Sequence, residues 1–119
     1  MADLPSSRVV TKIVLPVADM DEAVAFYRRL GFSVESFDPG YAWVTHSGDE
    51  ILHLRLVEGL DPVANEAVGY LHVRDVAPWH AAWVAAGVEV GDVEDLPWSM
   101  REFVVDDPSG NRLRVGANL

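Results

Sequence analysis

The chain has 119 residues, half of them apolar, a formal net charge of −10 and no cysteine. That length suits one compact domain with its own core, and the missing cysteine removes disulfides and thiolate metal ligands and suits a cytoplasmic location. The acidic balance opposes binding to nucleic-acid phosphates, no apolar run approaches the ~20 residues that span a bilayer, and the start of the chain, with Asp3 and Pro5, lacks the basic-then-apolar order of a secretory signal.

In chain order, residues 8–17 read as a strand that ends where Asp19 can cap a helix. Asp19 followed by Glu22 has the spacing of a capping box, so a helix is expected over residues 20–30, stopped by Gly31. Residues 32–37 and 41–46 read as strands around an Asp38-Pro39-Gly40 turn. Ser47-Gly48-Asp49 then makes a hairpin turn into a strand over 50–58. Residues 59–67, with Pro62 and Asn65, form a linker. Beyond it come a strand at 68–74, a helix with Pro78 in its first turn, a Gly87 stop and a strand at 88–93. A loop at 94–97 and strands at 101–106 and 112–116 complete the chain.

The second half repeats the first at an offset of 56 residues. Val17-Ala18-Asp19-Met20 is echoed by Val73-Arg74-Asp75-Val76, and Leu30-Gly31-Phe32-Ser33-Val34 by Ala86-Gly87-Val88-Glu89-Val90. Met20, Ala23, Tyr27 and Leu30 recur as Val76, Trp79, Trp83 and Ala86, the spacing of one apolar helix stripe. The expected architecture is α+β: two tandem βαβββ modules, about 8–58 and 68–117, within one domain spanning 1–119. Modules this short would share a core, so the cleft where they meet is the place to expect function.

Strand alternation selects the residues facing away from the helices. With Leu52, Leu54 and Leu56 under a helix, Ile51, His53 and Arg55 point the other way. Thr11, Ile13, Leu15 and Val17 are expected in the core, leaving Val10, Lys12 and Val14 outside it. In the second half Leu71, Val73, Leu113 and Val115 are core, leaving Val68, Tyr70, His72, Arg112 and Arg114 opposite. This mixture of cations, histidines and aromatics fits a solvated sheet face as well as a ligand cavity.

Residues 16–32 (PVADMDEAVAFYRRLGF) and Asp107-Pro108-Ser109-Gly110-Asn111 resemble the two signatures of the glyoxalase, bleomycin-resistance and extradiol-dioxygenase superfamily, the vicinal oxygen chelate proteins. The resemblance implies a half-barrel of two βαβββ modules, completed in a homodimer whose grooves lie between subunits, with residues 1–7 reaching across as an arm. Pro97-Trp98-Ser99-Met100-Arg101-Glu102-Phe103 and Gly59-Leu60-Asp61-Pro62 are further similar to segments of the antibiotic-binding bleomycin resistance proteins. That similarity implies a groove where flat rings lie between aromatics and acidic residues meet a cationic tail.

The superfamily's enzymes hold a divalent metal at four strand positions, which correspond here to Lys12, His53, Val68 and Arg114. Of these only His53 has a lone pair to give, and a protonated Lys and an Arg repel a dication. Metal-dependent chemistry is therefore disfavoured, and no metal or cofactor is expected. His53 could still act as a general base in a small glyoxalase-like lyase or isomerase. The plainer reading is a pocket histidine bonded to Tyr70 or a carboxylate.

Aromatic side chains carry the case for binding. Tyr41, Trp43 and Trp98 stand beside turns, where each could stack on a planar heteroaromatic group and attract a cation. Trp79 and Trp83 belong to the helix stripe and are expected to be packed core, while His80 reads as a surface side chain. The expected ligand set is Lys12, Tyr41, Trp43, His53, Tyr70, Trp98, Met100, Phe103 and Arg114. The expected activity is metal-free sequestration of a bleomycin-type drug, with an anionic metabolite as the alternative ligand. Glu35, Glu58, Glu102 and Asp106 are the carboxylates available to pair the cations of this face.

Overall fold

Asp19 and Asp75 turn the chain from extended backbone into helix at equivalent points of the two halves. The Asp19 carboxylate accepts the Glu22 N–H at 3.0 Å, although Glu22 makes no return bond to complete the box. Asp75 instead accepts the Ala77 N–H at 3.1 Å, because the next residue, Pro78, has no N–H to offer. In the computed structural model, which describes residues 1–119, the helices that follow are α1 (Met20–Arg29) and α2 (Val76–Ala85). Gly31 and Gly87, at φ 97° and 77°, end them in the left-handed conformation.

Each helix backs one four-stranded sheet. The first contains β1 (Ile13–Val17), β2 (Ser33–Asp38), β3 (Tyr41–His46) and β4 (Asp49–Leu56), in the order β1-β4-β3-β2. The second contains β5 (Val68–His72), β6 (Glu94–Leu96), β7 (Met100–Asp106) and β8 (Arg112–Asn118), in the order β5-β8-β7-β6. In both sheets the first strand pairs parallel with the last and the other pairings are antiparallel. The repeat is thus a repeat of topology as well as sequence.

Leu15, Val17, Leu52 and Leu54 from the first sheet, and Leu113 and Val115 from the second, have no exposed surface and lie under the helices. Tyr27 of α1 is equally inaccessible, and Trp83 of α2 nearly so. Aromatic edges join the halves: the Trp83 ring stands 6.2 Å from Phe32 and 5.6 Å from Phe103.

Polar contacts tie the modules as well. Arg29 at the end of α1 donates to the Ala86 and Gly87 carbonyls at 3.0 and 2.9 Å, and the Trp83 indole donates to the Leu30 carbonyl at 2.8 Å. Each helix thereby satisfies carbonyls left open by the end of the other. The β7–β8 turn makes a second junction. Buried Asp107 accepts the Tyr27 hydroxyl at 2.7 Å and the Ser109 and Asn111 N–H groups at 2.9 and 3.0 Å. Asn111 donates to the Pro16 carbonyl at 2.7 Å, and Ser109 Oγ accepts the Ala18 N–H at 3.0 Å. The Asp-Pro-Ser-Gly-Asn motif is therefore a clasp from the second module onto the first. At Gly110, φ 84°, a Cβ would collide with the Pro62 carbonyl, so the clasp also closes over the linker.

Three expectations about the elements need correction. The first strand begins at Ile13 instead of residue 8, and Thr11 is exposed, because β4 offers β1 pairing only from Leu52 to Leu56. A register shift between Val44 and Thr45 breaks the ladder just ahead of Leu52. Residues 88–93 form no strand and touch β7 through one Gly91 N–H to Val104 bond of 2.8 Å. The pairing lies instead at Glu94–Leu96, read from sequence as loop, because the Pro97-Trp98-Ser99 turn sets Leu96 opposite Met100. The Ser99 N–H to Leu96 bond of 3.1 Å closes that turn, with Ser99 at φ 64°.

Candidate ligand-binding site

Both sheets leave one face without a helix, and each such face carries a polar cluster. On the first, His53 stands opposite Trp43 in the β3–β4 ladder, with Tyr41 two residues along. The Tyr41 hydroxyl lies 2.7 Å from His53 Nδ1, and His53 Nε2 lies 2.7 Å from Glu50 Oε1. The Trp43 ring is 6.4 Å from His53 and 6.3 Å from Phe37, whose side chain is 73% exposed. This is a half-buried polar chain beside an open aromatic surface.

On the second face, Arg114 stands opposite Val104, with Glu102 two residues along. Its guanidinium donates to Glu102 Oε1 from Nε at 3.0 Å and Nη2 at 2.7 Å, and lies 5.1 Å over the Tyr70 ring. The Tyr70 hydroxyl donates to Glu102 Oε2 at 2.7 Å. Burial acts to raise the Glu102 carboxyl, but hydrogen bonds from Tyr70 and Arg114, the neighbouring Trp98 indole and the Arg114 charge together hold it below the usual carboxylate range. Burial first, then the bond to Glu102 and its charge, push the Tyr70 phenol up to about 12, against the pull of Arg114. Tyr70 reaches Glu102 because it lies across Gly116, where any Cβ would strike the phenol.

The two clusters are the same construction with different chemistry. Tyr41 pairs across from Arg55 and Trp43 from His53, as Glu102 pairs from Gly116 and Val104 from Arg114. In each half, the last strand's residue reaches diagonally to the neighbouring strand, giving Tyr41–His53 and Glu102–Arg114. His53 and Arg114 are two of the four strand positions that the superfamily resemblance aligns with metal ligands. Lys12 and Val68 at the other two are exposed, and no three His, Asp or Glu side chains stand close enough to share an ion. The residues present do not fit a metal: His53 is bonded at both nitrogens and Arg114 has no lone pair.

The remaining expected site residues scatter. Lys12 precedes β1 without an ion-pair partner, and exposed Arg55 has none either. Met100 is half-buried at the start of β7, and Trp98, 60% exposed, sits in the preceding turn. Trp98 lines a groove of about 540 Å³ with Glu102, Arg114, Arg112, Asp92 and Glu94. Arg112 is paired with Asp106 at 2.8 Å, whereas Asp92 and Glu94 pair with nothing. A second crevice, about 520 Å³, runs between the halves and is lined by Glu50 from the first cluster and Tyr70 from the second, with His46, His72 and Trp79.

Phe103 borders the Trp98 groove, but its side chain turns inward. It is 2% exposed and lies beneath the sheet against Trp83 and His80, because Glu102 takes the outward position and adjacent strand residues face opposite ways. His80 is half-buried instead of a surface group, with its ring 5.0 Å from Phe103 and Nε2 3.0 Å from the Gly91 carbonyl. His53 bonds to Tyr41 and a carboxylate, not to Tyr70. Glu50, Asp92 and Glu94 escaped the sequence reading: Glu50 reaches His53 beside a ladder irregularity that alternation does not describe, and the other two carry no motif.

Comparison with known proteins agrees with this geometry. Residues 9–115 match the Glyoxalase/Bleomycin resistance protein/Dioxygenase superfamily. A bleomycin resistance protein from Klebsiella pneumoniae is 30% identical over 112 residues, covering 87% of this chain and 88% of the relative. The crystal structure of a bleomycin-binding protein complexed with bleomycin has a TM-score of 0.85 at 26% identity, covering 94% of this chain and 100% of that one. The bleomycin-binding protein from bleomycin-producing Streptomyces verticillus, complexed with copper(II)-bleomycin, has a TM-score of 0.80 at 27% identity, covering 95% and 99%. Motifs, topology and these relatives converge, and the chain belongs to the glyoxalase/bleomycin resistance protein/dioxygenase superfamily.

Proposed function

We propose that this protein binds a glycopeptide antibiotic of the bleomycin class and sequesters it without changing it. The observation that carries the reading is how the basic side chains of the second sheet are disposed. Arg112 and Arg114 are each bonded to a carboxylate, so the groove beside Trp98 keeps Asp92 and Glu94 as its unpaired charges. A cationic tail finds there two anions and an exposed indole face. Planar rings find stacking surface on Trp43 and Trp98, with Tyr41, His53 and Tyr70 supplying polar contacts. Stoichiometric capture needs no turnover, so a site without a metal-ligand set suffices. The bleomycin-bound relatives support the ligand class.

The uncovered sheet faces, with Val14, Val68 and Tyr70 more than two-fifths exposed, suit closure by a second copy, with the exposed Leu4, Val9 and Val10 of the N-terminal segment reaching across it. The alternative ligand is an anionic metabolite, favoured by the guanidinium Nη1 of Arg114, which bonds to nothing in the chain. Titration of metal-stripped protein with metal-free bleomycin, followed by tryptophan fluorescence and heat, separates them. Saturation at about one drug per chain with submicromolar affinity, a gain of over about 8 kcal/mol, and its weakening in Trp98→Ala are the expected results. Absence of saturable heat removes bleomycin as the ligand and directs the search to carboxylates.

A further inference from the structure

The chain Glu50–His53–Tyr41 is a device that neither the fold nor the stacking of a flat ligand requires. It starts at a rim carboxylate, Glu50, with 43% of its side chain exposed, and passes through His53, at 21%, to the half-buried Tyr41. Both links are 2.7 Å. An ionised carboxylate can only accept, so the proton between Glu50 and His53 is carried by Nε2. In the neutral ring Nδ1 is then a bare acceptor, and the Tyr41 O–H must point at it. As long as the ring is neutral, the phenol's one proton is committed within the chain. What the hydroxyl offers anything else is a lone pair, beside the Trp43 indole.

We propose that Glu50 and His53 fix the polarity of the Tyr41 hydroxyl, so that this half of the site takes a flat heteroaromatic ligand through its N–H and disfavours an acceptor atom at that point. Glu50 and His53 are positioning residues, and Tyr41 is the group that touches the ligand. The proposal rests on the uncovered face being the ligand face, but not on the ligand being bleomycin. An acceptor placed against Tyr41 meets a lone pair, and relieving that contact requires breaking the bond to His53. Arg55, the other charged group on this face of β4, is exposed and takes no part in the chain.

The test has two readings on the intact protein. Long-range proton–nitrogen correlation spectra without ligand report the His53 ring directly, with Nε2 protonated and Nδ1 bare as the expected result. The preference weakens in Glu50→Ala. Indole and benzofuran, alike in shape but differing in an N–H against a ring oxygen, are then titrated while the Tyr41 and Trp43 resonances are followed. Indole is expected to bind at least about tenfold more tightly, equivalent to about 1.4 kcal/mol, with the contrast lost in Tyr41→Phe and reduced in Glu50→Ala. His53→Gln, whose amide can donate to Glu50 and accept from Tyr41, retains the contrast, whereas His53→Leu loses it. A histidine that merely fills space would not discriminate between those two variants. A ring protonated at Nδ1, equal affinities, or no movement of either resonance overturns the proposal. If bleomycin fails to bind while the indole contrast stands, the drug reading falls and the polarity remains. The reverse pair of results keeps the drug and discards the polarity.

Discussion

Tyr27 and Asp107 meet at 2.7 Å in the interior, and burial first, then the Asp107 charge and hydrogen bond, hold the phenol well above its ordinary value. A group whose value is raised by folding gives stability that is complete below its unfolded value, near 10 for tyrosine, and is lost as pH rises beyond it. Tyr70 adds in the same direction. Urea unfolding should therefore show a stability loss above about pH 10 that is shallower in Tyr27→Phe. At neutral pH that variant should cost about 1.5–3 kcal/mol, the usual range for a bond to a charged group. Equal alkaline slopes in the two proteins would remove Tyr27 as the cause. Residue facing was largely legible from sequence. The outward placement of His53 and Arg114 follows from alternation, since each has core neighbours on both sides in its strand. Phe103 borders the Trp98 groove with its ring turned inward, because a strand sends Glu102 and Phe103 to opposite faces.

At the scale of elements, the best-marked pieces were the helices, because caps and stops are local chemistry. Asp19, Asp75, Gly31 and Gly87 each act within a few residues of their own position. The caps are also separable in energy. Asp75→Ala removes the single side-chain bond at the start of α2 and should cost about 1 kcal/mol in thermal or urea unfolding. No change would mean that packing of Val76 and Trp83 alone fixes that helix end. The edge of the second sheet was poorly legible for the opposite reason. Residues 88–93 alternate like a strand, yet which segment pairs with β7 is decided by the turn at Ser99, a partner choice made across space. The candidate site divided in the same way: alternation exposed Tyr70 and the basic members, and turns marked Tyr41, Trp43 and Trp98, but the pairing that neutralises Arg112 and Arg114 depends on which carboxylates the ladder sets beside them.

For the molecule as a whole, the charge of −10 acts over a longer range than any contact. A cationic drug should be drawn towards it, and salt should weaken that pull within a Debye length of about 8 Å at physiological ionic strength. Stopped-flow association with bleomycin is expected to slow as sodium chloride is raised, and to slow less steeply in the Asp92→Asn, Glu94→Gln double variant. A rate indifferent to salt would place the recognition entirely in stacking.

The clasp and the crossed helix ends have a consequence for the chain's continuity. The linker bends at Val63, which is fully open to solvent, while Asn65 just beyond it is held by Ser109 and Asn111. The covalent connection is therefore a minor part of what joins the two modules. A protease that nicks the chain beside Val63 should yield two pieces that still co-elute and still melt in one transition, complementing each other as a split protein does.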